Sequence, residues 1–314
     1  MAKRLIGIDV ARALAVFGMV IVNFKVVFGN HNGPLLNTFL SLLNGKAAAT
    51  FVVLAGVGIA LTFKRWIEEN DIEKFNNKRL KIFRRAIVLF LIGASYLSIW
   101  PADILHFYGI YMLITLAVLK CSQTTVIFWA AGIILLYIPI MMLFNYDLGW
   151  DFEDMKYTDL WTLEGFLRNL LYNGFHPVVP WTAFMLIGLW FGRMDLSSER
   201  LIRKVIKISL ALFLVVQIIS YLSISFFPYG DSAQQEIWSY LLGTSPMPPL
   251  PMYMITGSSF ALLIISTCIL MAKKWPTIWI TRILSKTGQL ALTFYVAHVI
   301  LGMGIIEIIY PNKM

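Results

Sequence analysis

The sequence predicts an all-α fold, a polytopic transmembrane helical bundle of about nine spans with its N-terminus in the cytoplasm. One integral-membrane domain fills residues 1–314. Three observations predict it. Hydrophobic residues make up 59% of the chain and charged residues only 14%, whereas a soluble domain carries about a quarter charged residues; the mean hydropathy is +0.74. Apolar runs approaching the roughly 20 residues that cross a bilayer recur from end to end. Lys and Arg gather in alternate loops, as the positive-inside rule expects of cytoplasmic loops.

The spans are expected at about 5–28, 47–63, 86–100, 104–119, 124–144, 178–192, 205–227, 252–272 and 289–310. The first is too long for a signal peptide and lacks a small-residue cleavage site, so it is read as a retained helix. The loop after span two carries Lys64, Arg65, Lys74, Lys78, Arg79, Lys81, Arg84 and Arg85. The loop after span six carries Arg193, Arg200, Arg203, Lys204 and Lys207. The opposite loops are poor in basic residues, and 147–164 is acidic. Residues 34–44 read as a short interfacial or re-entrant helix. Residues 160–175 read as a helix lying in the outer interface, with Phe166, Leu167, Leu170 and Leu171 on one side and Glu164 and Arg168 on another. The net charge of +9 sits in these alternate loops, which argues against a nucleic-acid partner. The two cysteines form neither a disulfide framework nor a metal motif.

The first span is apolar enough to cross a membrane, yet it contains Asp9, Arg12 and Asn23. Ionisable residues inside a membrane helix cost a few kcal/mol on insertion scales, roughly 3 kcal/mol each, and mark candidate sites. At about 100° per residue, Arg12, Val16, Met19 and Asn23 share one face with Asp9 near its edge, and Arg12 to Asn23 rises roughly 16 Å. A plain structural use is equally open for Asp9 and Arg12, which at i and i+3 suit an ion pair that locks helix packing.

The pattern Arg4-Leu5-x-x-Ile8-Asp9-x-x-Arg12-Ala13-x-Ala15 followed by Met19-x-x-Val22-Asn23 resembles the opening helix of the heparan-alpha-glucosaminide N-acetyltransferase-like family. It is also similar to the YeiB-like bacterial membrane proteins, and more distantly to the large family of membrane-bound acyltransferases. Ala13 stands where the pattern usually has Gly. Looser similarity to the YeiB-like proteins runs through Asp103-Ile104-Leu105-His106-Phe107-Tyr108-Gly109-Ile110, through Phe175-His176-Pro177-Val178-Val179-Pro180-Trp181, and through Ala291-Leu292-Thr293-Phe294-Tyr295-Val296-Ala297-His298. In the first family an Asn ends the opening helix and a His follows in the adjoining extracytoplasmic loop, which implies Asn23 and His31 here. The resemblance implies an enzyme, an acyl-coenzyme A-dependent transmembrane acyltransferase with acetyl-CoA as donor and an extracytoplasmic glycan or amino sugar as acceptor. It also implies a multi-pass protein of the bacterial cytoplasmic membrane.

The expected topology puts His31, His106 and His176 at the outer face and His298 near mid-membrane. Imidazole titrates near neutrality, which suits removal of a proton from an acceptor hydroxyl or amine. His31 fits the base, and Asn23 a donor to the carbonyl oxygen as charge develops there. Asp9, Arg12, Tyr295 and His298 are expected to line or brace the donor path. Arg84 and Arg85, with Lys64, Arg65 and Arg193, offer charge to its phosphates, although the positive-inside rule explains these equally well. His106, His176 and Trp181 are expected near the acceptor. Gly56 and Gly58 suit either close passage of a slender ligand arm or close helix packing. No metal is expected; membrane lipid is an expected partner, and a homodimer is left open. A transporter or exporter using intramembrane Asp9, Arg12 and His298 is the competing reading.

Overall fold

The computed structural model describes residues 5–28, 40–68, 71–153, 155–226 and 232–309. Its helices are α1 (Ile6–Phe28), α2 (Lys46–Glu68), α3 (Ile72–Ser95), α4 (Leu105–Ala117), α5 (Gln123–Leu143), α6 (Leu163–Arg168), α7 (Val178–Gly192), α8 (Glu199–Phe226), α9 (Ser232–Leu242), α10 (Pro251–Lys274), α11 (Trp279–Gln289), α12 (Ala291–Ala297) and α13 (Gly304–Ile309). Two π-helical turns, Asn169–Asn173 and His298–Met303, follow α6 and α12. The described residues contain a single antiparallel hairpin, β1 (Trp150–Asp151) with β2 (Lys156–Tyr157), in which Trp150 faces Tyr157.

Among the described residues five helical segments are long and apolar enough to cross a membrane: Ile6–Phe28, Leu40–Lys64, Gln123–Leu143, Glu199–Phe226 and Pro251–Lys274. Two bent pairs bring the number to as many as seven, Leu163–Asn173 with Val178–Gly192 at 45° and Trp279–Gln289 with Ala291–Ile306 at 68°. These account for seven of the nine expected runs, whole or in part. The run at 104–119 becomes α4, which at 13 residues is about 20 Å long against a hydrocarbon core of roughly 30 Å. The run at 86–100 supplies the apolar end of α3, whose first half is dense in Lys and Arg. That half is helical because Lys, Arg and Glu are good helix formers and because Asp71 caps it, accepting from the Lys74 amide at 3.0 Å. The last run begins at a break from α11 at Leu290, whose backbone leaves the helical region (φ −101°, ψ 14°).

The chain forms two compact units. One comprises Met1–Leu54, Asp195–Pro246 and Ile255–Met314, the other Ala55–Met194 and Met247–Met254. In the first, α1 packs against α11 and α12. The contact with α11 is close because Gly288 has no side chain: a Cβ there would lie 1.7 Å from the Asp9 carbonyl oxygen. In the second, α3 packs on α4, and α7 packs on both α4 and α5. The C-terminal half of α2 lies flush on α7 at Gly56, where a Cβ would stand 2.0 Å from the Met185 carbonyl oxygen. The close-packing use of Gly56 is thus the one observed.

α5 and α8 leave long apolar faces uncovered, with Phe128, Leu136, Met142, Ile208, Ile218 and Leu222 all exposed. Faces of that extent would be unstable in water, and their natural solvent is lipid. The fold is therefore that of a polytopic helical membrane protein.

Candidate functional site

The polar stripe of α1 survives folding. Asp9 is buried, and Arg12 Nη1 donates to its Oδ1 at 2.9 Å. Val16 and Met19 follow on the same face, both buried. At the far end Asn23 Nδ2 lies 3.0 Å from His298 Nε2, in the π-helical turn that follows α12. The hydrogen-bond partners fix the imidazole tautomer. His298 Nδ1 faces the Tyr295 carbonyl, which accepts only, so the ring proton of a neutral imidazole sits on Nδ1. Nε2 then accepts from the Asn23 amide. The Tyr295 ring is fully buried, 4.9 Å from the His298 ring and stacked at 6.1 Å on Phe51. The π-helical turn matters here, because such turns shift side chains out of the regular helical register and recur at functional positions. His31 lies outside the described residues.

The second unit holds a separate cluster around Asp103. This carboxylate sits before α4 and is wholly buried. Its Oδ2 accepts from the backbone amides of Leu105 at 2.7 Å and His106 at 3.2 Å, and lies 3.2 Å from His106 Nδ1. Its Oδ1 accepts from the Tyr96 hydroxyl at 3.0 Å. A helix start thus holds a carboxylate, and the carboxylate orients an imidazole, as an N-cap acceptor does. The His106 and Phe107 rings lie 3.9 Å apart and tilted by 39°, Phe107 meets His176 edge-on at 6.0 Å, and His176 meets Trp181 edge-on at 4.6 Å. The Tyr111 hydroxyl donates to the His176 carbonyl. Trp181 Nε1 and His176 Nδ1 are buried without a protein partner among the described residues. The expected acceptor residues His106, His176 and Trp181 do come together.

The remaining expected residues fall elsewhere. Arg84 and Arg85 are exposed on α3. Lys64 and Arg193 line one cavity in the second unit. The side chain of Arg65 lies outside the described residues. Nothing in the sequence pointed to Tyr96 or Tyr111, and Asp103 was read only as part of a motif. The spacing Asp-x-x-His at a helix start was the available signal for the Asp103–His106 pair. The acidic stretch after α5 is bound to α6 by structural contacts: Arg168 pairs with Asp159 and donates to the Tyr157 hydroxyl at 2.9 Å, and Tyr157 donates to Asn173 Oδ1 at 2.7 Å. Asn173 gives its own amide protons to the Tyr146 and Leu148 carbonyls. Among the described residues no group of His, Cys, Asp or Glu is arranged to hold a metal ion.

Apolar helices open to lipid and a titratable stripe on the first of them define a helical membrane protein built for more than anchoring. Residues 4–229 match the family model for heparan-alpha-glucosaminide N-acetyltransferase, catalytic, and the chain belongs to that family. Residues 189–310 also match a model for a protein of unknown function (DUF418). Both resemblances seen in the motifs are therefore present. No curated protein and no solved structure matches the chain.

Proposed function

We propose that this protein is a membrane acyltransferase that takes an acetyl group from acetyl-coenzyme A at the cytoplasmic face and passes it to an extracytoplasmic sugar or envelope glycan. The observation that carries the reading is the match to an N-acetyltransferase catalytic domain over residues 4–229. The geometry supports it through α1. The Asn23 amide has two protons, and His298 takes one of them. The other is assigned to the thioester carbonyl oxygen, where negative charge grows as the acceptor attacks. His31 is assigned the acceptor proton. The acyl–sulfur bond breaks as the acyl–oxygen or acyl–nitrogen bond forms, and the proton held by His31 passes to the departing thiolate. Asp9 and Arg12 brace the donor path, with Tyr295 and His298 along it. Arg84 and Arg85 are assigned to the donor phosphates, and His106, His176 and Trp181 to acceptor recognition. The N-terminus is assigned to the cytoplasm of a cell with this protein in its cytoplasmic membrane.

The test is transfer of labelled acetyl from acetyl-coenzyme A to a panel of amino sugars and glycans by the purified protein in nanodiscs. The expected result is label in an acceptor with wild type and a loss of about 100-fold or more with His31→Ala, the range for a general base, at an unchanged thermal midpoint. Equal transfer by the variant removes His31 from the mechanism. No release of free coenzyme A with any acceptor removes the acyltransferase reading and favours transport.

A further inference from the structure

A cavity of about 240 Å³ opens within the second unit, between the C-terminal half of α2, the α4–α5 connection and the end of α7. Among the described residues three cations line it, Lys64, Lys120 and Arg193, and no Asp or Glu does. Arg193 is half-buried and held in place: Nη1 donates to the Cys121 carbonyl at 2.7 Å and Nη2 to the Leu119 carbonyl at 2.8 Å. Lys120 stands over the Phe75 ring, 5.1 Å from its centroid. The cavity also receives Ser122 and Gln123, the cap and first residue of α5, a 21-residue helix. The positive end of its dipole and its first amides therefore add to the field of the cations. Burial pulls the Arg193 guanidinium below its ordinary pKa, a measure of how far it has been withdrawn from water.

The positive-inside rule accounts for surface lysines in a loop. It does not account for a guanidinium fixed by two carbonyls and joined by Lys64 and Lys120 around one concavity with no carboxylate among the described residues that line it. Like charges so placed repel one another, and an anion relieves that. A forked guanidinium beside two flexible ammonium groups matches the several oxygens and high charge of a phosphate better than a single carboxylate. The volume is below the roughly 300–1,000 Å³ of pockets that enclose a whole drug-sized ligand. It suits a head group whose remainder lies outside.

We infer that this cavity binds a phosphate ester, with Arg193 as the fixed forked donor and Lys64 and Lys120 as the balancing charges. The phosphate comes either from a lipid head group or from a soluble compound. The site stands on its own geometry and does not depend on the acyl-transfer reading.

The test is the thermal midpoint of the full-length protein. In neutral detergent, millimolar inorganic diphosphate is compared with sodium chloride of equal ionic strength. In nanodiscs, phosphatidylcholine alone is compared with phosphatidylcholine plus phosphatidylglycerol. A ligand that binds only the folded state raises the midpoint by mass action. The expected result is a rise specific to one phosphate source, with apparent affinity falling about tenfold or more in Lys64→Gln/Lys120→Gln. The control Arg79→Gln/Lys81→Gln removes the same charge from outside the cavity and is expected to keep the rise. Stabilisation by phosphatidylglycerol alone assigns the site to lipid, and by diphosphate to a soluble ester. Arg193 is left intact because it also holds two backbone carbonyls. No specific rise in either arm, or an equal rise in the cavity variant, overturns the inference.

Discussion

Asn23 and His298 are 275 residues apart in sequence and 3.0 Å apart in the fold. Interhelical hydrogen bonds between polar side chains in membrane proteins contribute on average about 0.6 kcal/mol and at most roughly 1.7 kcal/mol, because the unfolded chain in lipid also finds partners. A double-mutant cycle with Asn23→Leu and His298→Leu, read by unfolding in mixed micelles, is expected to give a coupling energy in that range. Each single variant loses the bond, so the second substitution then adds little. A coupling near zero would mean that the two side chains do not share the bond. The stripe from Arg12 to Asn23 was legible because helical periodicity alone puts those residues on one face. The partner of Asn23 was not legible, because a contact between distant segments leaves no local trace. The Asp103–His106 pair lay between these cases: its spacing was present, but a helix start had to be located before a carboxylate three residues ahead of the imidazole acquired meaning.

Two glycines in membrane helices carry opposite expectations at the scale of elements. Gly56 on α2 is pressed against the α7 backbone, so Gly56→Ala forces a backbone shift and is expected to destabilise by about 1–3 kcal/mol, as overpacking does. Gly132 on α5 has nothing within 4 Å of where a Cβ would sit. Gly132→Ala removes backbone freedom from the unfolded chain and is expected to stabilise by about 0.5–1 kcal/mol. Thermal midpoints of the two variants measured side by side check both signs; equal effects would mean that Gly56 is not a packing contact. The element boundaries show where hydropathy stops being informative. α3 begins at Ile72, although the apolar run begins near 86, because charged residues lower hydropathy without weakening a helix. The break at Leu290 stands where the polar run at residues 285–289 gives way to the last apolar run, so hydropathy marks its place; its tertiary setting, the close seating of Gly288 on Asp9, leaves no such trace.

Charge and apolar surface are distributed unevenly over the whole molecule, and this sets the expected orientation. The loop between α2 and α3, with the charged first half of α3, carries most of the basic residues of its region, while residues 147–164 carry an acidic excess. Basic loops are retained on the cytoplasmic side during insertion, so the two regions are expected on opposite faces. Site-directed labelling tests this with little background. Cys268 is buried, and Cys121, which is half-buried, is replaced by Ser. In that background Glu153→Cys and Lys81→Cys place a thiol at exposed positions of the acidic loop and of α3 respectively. An impermeant maleimide applied to intact cells is expected to label the Glu153→Cys protein at once and the Lys81→Cys protein only after permeabilisation. The reverse pattern would invert the molecule in its membrane. Labelling of both from outside would mean that the chain between them, from the end of α3 through α4 and α5, crosses the membrane an even number of times. The acceptor side of the proposed reaction depends on this result, because acetyl can leave the cytoplasm only if Asn23 and the loop after it face outward.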